Sequence, residues 1–132
     1  MLFRASGSRD YYRFAVNCSG QLRLERVQNG AAYPLQDWLS SGDVPSGAPA
    51  QVKIGVWASG REMRVFLNDH YQFSLLDRYF SSGMLGFFIF ASGTNPVTIS
   101  FSALSVNTVS YISPTPSLTP TITTTPSRTP TP

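Results

Sequence analysis

The acidic side chains of this chain stand one by one: Asp10, Glu25, Asp37, Asp43, Glu62, Asp69 and Asp77. Hydrolysis of a glycosidic bond needs two carboxyls roughly 5 to 9.5 Å apart across a cleft. These acids lie mostly near turns, where a single carboxylate ordinarily helps close the turn. His70 is the only histidine. It follows Asn68-Asp69 in an expected hairpin and reads as an exposed turn residue. A triad of His70 with some serine is the alternative, though no G-x-S-x-G elbow accompanies it. One histidine without paired cysteines is weak material for a metal. Calcium held by Asp carboxylates and loop carbonyls is a second alternative, without a D-x-D-x-D loop to carry it. No cofactor is therefore implied. Cys18 is the only cysteine, so no internal disulfide forms. It sits in an apolar alternating run and reads as a small buried hydrophobe. Asn17-Cys18-Ser19 formally matches an N-glycosylation acceptor, a match that is frequent by chance.

Binding asks for less. Sugars present flat C–H faces, so a shallow sheet surface with aromatic platforms and a few forked donors suffices. Tyr11, Arg13, Arg23, Glu25, Trp57, Arg64 and Gln72, together with Lys53, fall at off-core positions and are candidates to line the concave face of one sheet. Trp38 and Tyr33 would stand at its rim. The competing reading is ordinary core and surface, because periodicity does not say which sheet face meets solvent.

The elements that must carry these residues are strands. Leu2 to Ala5 begins the series. Asp10 to Cys18 alternates, with Tyr12, Phe14, Val16 and Cys18 on one face. Gln21 to Val27 follows, with Leu22 and Leu24 inward and Arg23 and Glu25 outward. Asn29-Gly30 predicts a type I′ hairpin turn into Ala31 to Leu39, where Pro34 points to an edge or a bulge. Gln51 to Ala58, Glu62 to Asn68 and His70 to Leu76 alternate in turn, the last with Tyr71, Phe73 and Leu75 on one face. Met84 to Ala91 is apolar on both faces, the pattern of a central strand covered above and below. Val97 to Val106 closes the set. About nine strands, short connections and no helical period predict an all-β fold, a two-sheet antiparallel sandwich or jelly roll.

Composition sets the surroundings. Residues 1–112 make one domain. The formal charge is +3, and Lys53 is the only lysine among ten basic residues. The arginines are interleaved with acids, which argues against a nucleic-acid partner. No stretch is long and apolar enough for a membrane span. From Ser113 to Pro132 the chain is almost wholly Pro, Thr and Ser. Proline removes amide donors, and too few apolar groups remain to offset the entropy of ordering. The composition predicts a disordered, extended linker of roughly 60 Å, at about 3.1 Å per residue. Such a linker implies an extracellular or cell-surface setting and further domains of the same polypeptide. The first residues, MLFRASGSRD, lack the apolar run of an export signal, so the chain is expected to be a fragment or to start at a wrong methionine.

The succession LFRA, DYYRFAV, GQLRLERVQNG, LQDW, VKIGVWASGREMRVFLND, FSSGMLGFFIFA and VTISFSALSV resembles the later two-thirds of a concanavalin A-like lectin/glucanase jelly roll. Within it the chain is most similar to the 3-keto-disaccharide hydrolase family and its non-catalytic relatives on bacterial surface proteins. The resemblance covers about Leu2 to Val106 and lies in turns, glycines and core positions, so it speaks to fold more than to activity. It implies a jelly roll incomplete at its N-terminus, with unpaired edges and uncovered apolar faces. Related glucanases carry their acids in an E-x-D-x-x-E strand, a pattern this chain lacks. The functions it implies are a non-catalytic carbohydrate-binding or adhesion-type module, a glycoside hydrolase, or a purely structural spacer.

Overall fold

The computed structural model describes residues 1–44, 47 and 50–110. The expected linker over 113–132 lies outside the described residues, as do 111 and 112 at the end of the expected domain. The described residues are all-β: β1 (Leu2–Ala5), β2 (Tyr11–Val16), β3 (Gln21–Gln28), β4 (Ala31–Ser40), β5 (Ile54–Ser59), β6 (Glu62–Leu67), β7 (His70–Leu76) and β8 (Met84–Gly86). They form two antiparallel sheets, one of five strands in the order β4-β3-β2-β1-β8 and one of three in the order β5-β6-β7. The chain leaves the first sheet after β4, builds the second, and returns beside β1 as β8.

Local chemistry explains most of these elements. Asn29 and Gly30 both have positive φ (52° and 83°), as a type I′ turn requires, and they join β3 to β4. Asn68 and Asp69 do the same between β6 and β7, at 50° and 67°. Asn68 is further held by its side chain, whose Oδ1 accepts from the Lys53 N–H at 2.9 Å. Pro34 lies in β4, the edge strand of the first sheet, next to two register shifts. An edge tolerates the missing amide donor.

Alternation then places the core. Tyr12, Phe14, Leu22 and Leu24 of the first sheet face Met63, Val65 and Leu67 of the second, all fully buried. Burial of each such side chain contributes about 1.5–3 kcal/mol. One end of this interior is polar. The Tyr12 hydroxyl donates to Asp77 Oδ1 at 2.5 Å, and Arg26 Nη1 donates to Asp77 Oδ2 at 2.5 Å. Arg4, at a bulge with φ 49°, reaches the carbonyls of Gly60 and Phe80 at 2.9 and 3.0 Å. Burial, aided by the bond to Asp77, pushes the Tyr12 phenol up to about 12.

Four expectations need correction. Cys18 is exposed, not buried. β2 stops at Val16 because Asn17 Oδ1 captures the N–H groups of Ser19 and Gln21, which turns the chain before the alternation reaches Cys18. Tyr71 is 57% exposed, because a register shift at Val65/Phe66 pairs it with outward-facing Phe66. The apolar run from Met84 is not a covered central strand. Only Met84 to Gly86 pair, at the sheet edge, and no strand is assigned over 97–106. Phe87 stacks on Phe101, with ring centroids 4.3 Å apart, yet both remain exposed and Phe90 is 81% exposed. The second sheet has only three strands and leaves these side chains uncovered.

Candidate functional site

Register sorts the candidate residues. On β2 and β3, Arg13 stands opposite Glu25 and Ala15 opposite Arg23, so Tyr11, Arg13, Arg23 and Glu25 share the outer face of the first sheet. Glu25 is buried there beneath two guanidiniums. Arg13 Nε donates to its Oε2 at 2.7 Å, and Arg23 Nη2 pairs with its Oε1 at 2.9 Å. Each arginine also lies against an aromatic ring. The Arg13 guanidinium carbon is 5.4 Å from the Phe88 centroid, and that of Arg23 is 5.6 Å from Trp38. The result is a row across the sheet, Phe88–Arg13–Glu25–Arg23–Trp38, in which charge neutralisation and cation–π contact fix both forks.

The other candidates do not join this row. Trp57 and Arg64 pair across β5 and β6 on the outer face of the second sheet, where the Arg64 guanidinium carbon sits 4.5 Å from the Trp57 ring and its Nε bonds Glu62 at 2.7 Å. The two outer faces are separated by the core. Lys53 is tied to Asp69 at 2.7 Å. Gln72 belongs to a third cluster, on β7.

That cluster is a relay that spacing does not reveal. The Ser41 hydroxyl donates to Gln72 Oε1 at 2.7 Å, Gln72 Nε2 donates to Asp43 Oδ2 at 2.7 Å, and Asp43 Oδ1 meets His70 Nδ1 at 2.6 Å. Asp43 raises the His70 imidazole above its ordinary value, first through the hydrogen bond and then through its charge. His70 and Gln72 hold the Asp43 carboxyl below its own. The pair's contribution to stability is therefore whole from Asp43's ordinary value of 3.8 up to His70's of 6.5. It is lost as pH rises through the raised histidine value or falls through the lowered carboxyl value. Asp43→Asn is expected to move the NMR titration midpoint of His70 down toward its ordinary value. An unchanged midpoint would show that the carboxylate does not charge the ring.

A fourth feature lies at the polar end of the interior. Arg26, Arg61, Leu76, Asp77, Arg78 and Tyr79 line an open groove of about 650 Å³. The Arg26 guanidinium carbon stands 5.5 Å from the Tyr33 ring and 4.8 Å from that of Tyr79. Among the described residues, no group of three or more His, Cys, Asp or Glu side chains is placed to hold a metal ion. No helix among them is long and apolar enough to cross a membrane.

No family model, curated protein or solved structure matches this chain.

Proposed function

We propose that the domain is a non-catalytic carbohydrate-binding module of a secreted or surface-anchored protein, and that the outer face of the first sheet receives the sugar. The observation that carries this reading is the row built around Glu25. Its two oxygens hold Arg13 and Arg23 in place. Arg23 Nε is buried and lies 3.4 Å from Asp37 Oδ1, but the remaining Nη–H groups of the two forks not used on Glu25 are oriented donors for sugar hydroxyls, and little ordering entropy is lost when a ligand arrives. Trp38, 41% exposed beside Arg23, adds an apolar plane for a C–H face. The sequence resemblance to lectin-like jelly rolls supports the same reading.

A hydrolase would need a protonated acid facing a second carboxylate. Glu25 is occupied by two guanidiniums, and Asp43 is held toward its ionised form by His70 and Gln72, so neither suits that role. Titration calorimetry with neutral hexasaccharides of glucose or xylose tests the proposal. Trp38→Ala is expected to weaken binding about tenfold or more, the loss of roughly 1.4 kcal/mol at a stacking platform. Trp57→Ala, on the opposite face, should leave affinity unchanged. Wild-type silence toward neutral and acidic glycans alike would remove the function and leave a spacer domain.

A further inference from the structure

Resting on the carbohydrate reading, we infer that the groove at the Asp77 end of the sandwich takes the anionic group of an acidic saccharide, a uronate carboxylate or a sulfate ester. Three guanidiniums, Arg26, Arg61 and Arg78, meet there with one carboxylate, Asp77. That carboxylate is already occupied. Its Oδ2 accepts from Arg26, while Oδ1 accepts from the Tyr12 hydroxyl and, at 2.9 Å, from the Tyr79 N–H. Three of the carboxylate's roughly four acceptor sites are thus engaged, and three guanidiniums against one carboxylate leave the groove with a net positive charge.

Arg26 forms a fixed wall, because Asp77 holds its tip and Tyr33 and Tyr79 stand on its faces. Arg61 and Arg78 are exposed, and no hydrogen bond or ion pair holds their side chains among the described residues. Their backbones are nonetheless held close, since the Asp77 N–H donates to the Arg61 carbonyl at 2.8 Å. Two free forks on neighbouring turns are the arrangement that grips a planar or tetrahedral oxyanion. Tyr79, 52% exposed, lines the groove with those forks and offers ring surface for the sugar that carries the charge. The groove is distinct from the Glu25 row. Arg26 pairs with inward-facing Tyr12, whereas Arg13, Glu25 and Arg23 point outward.

The test is calorimetry on the whole chain with an oligogalacturonate, a chondroitin sulfate hexasaccharide, a neutral hexasaccharide and an oligo(dT) of matched charge. The acidic saccharides are expected to bind with an affinity that falls as salt rises. Arg61→Gln with Arg78→Gln should weaken them about tenfold or more. The same pair should leave neutral binding and the urea midpoint unchanged, since neither side chain is buried. Binding of the uronide alone assigns a carboxylate site, and binding of the sulfated sugar alone assigns a sulfate site. Acidic affinity that survives the double substitution overturns the groove while leaving the module intact. Equal or tighter binding of oligo(dT) overturns it in favour of a polyphosphate partner. Failure of every saccharide removes both readings.

Discussion

Asp77→Ala is expected to lower the stability of the domain by about 3–4 kcal/mol, toward the lower part of the range for stranding a buried ion pair. Three groups depend on this one carboxylate: the Tyr12 hydroxyl, the Arg26 guanidinium and the Tyr79 N–H. Tyr12 is fully buried, so its hydroxyl would lose a partner that water cannot readily replace. Arg26 keeps 22% of its side chain exposed, which moderates the cost of leaving its charge alone. Most of the loss is thus the penalty of the orphaned partners rather than the worth of the bonds themselves. The triple variant Tyr12→Phe, Arg26→Met, Asp77→Leu removes the two side-chain orphans and should recover part of the stability, while the Tyr79 and Phe80 N–H groups lose their acceptors. Urea midpoints of the two variants and the wild type measure this. An Asp77→Ala midpoint within about 1 kcal/mol of wild type would mean that the polar end is solvated and not structural.

Gly83→Ala should be the most damaging of the glycine-to-alanine changes, costing about 3 kcal/mol or more through combined overpacking and backbone strain. Gly83 has φ +146°, and a Cβ there would stand 2.5 Å from the Ala5 carbonyl oxygen and 2.5 Å from the Arg4 carbonyl carbon. Both neighbours are backbone, so no side chain can rotate away. The close approach exists because β8 docks on β1 just where Arg4 bulges, with a register shift between Leu2 and Ala5. An added methyl would push β8 off the sheet edge and disturb the Arg4 bonds to Gly60 and Phe80. Amide exchange should report it, as faster exchange at Met84 to Gly86 and in β1. Gly47→Ala is a fitting control: its φ is also positive, +88°, but among the described residues nothing lies within 4 Å of the added Cβ. Equal losses in the two variants would mean that the dihedral, and not the collision, sets the cost.

Short-range rules were enough for most strands. Alternation identified β2, β3, β5, β6 and β7 and grouped Tyr12 with Phe14, Leu22 with Leu24, and Met63, Val65 and Leu67, while β4 followed from the Asn29-Gly30 turn. Turn chemistry at Asn29-Gly30 and Asn68-Asp69 set both hairpins, since few residues tolerate two successive positive φ angles. The same rules misread Cys18 and Tyr71, because one captured amide or one register shift reverses every side chain beyond it. They also misread the segment after Met84. Hydrophobicity records what a strand would bury, and among the described residues no facing strand arrives to bury it.

The candidate site divides in the same way. Alternation was sufficient to set Arg23 and Glu25 on one face of their strand and Arg13 off the apolar face of its own, because spacing within a strand is a local matter; the pairing of the strands put them on one face and the packing of the sheets turned that face outward. Nothing local joins Tyr12 and Arg26 to Asp77, which lie 65 and 51 residues from it along the chain. The relay of Ser41, Gln72, Asp43 and His70 and the three-arginine groove arise likewise from loops brought side by side when two sheets close over one core. A sequence carries the pleat of each strand within itself, whereas the meeting of distant turns depends on where buried apolar faces come to rest.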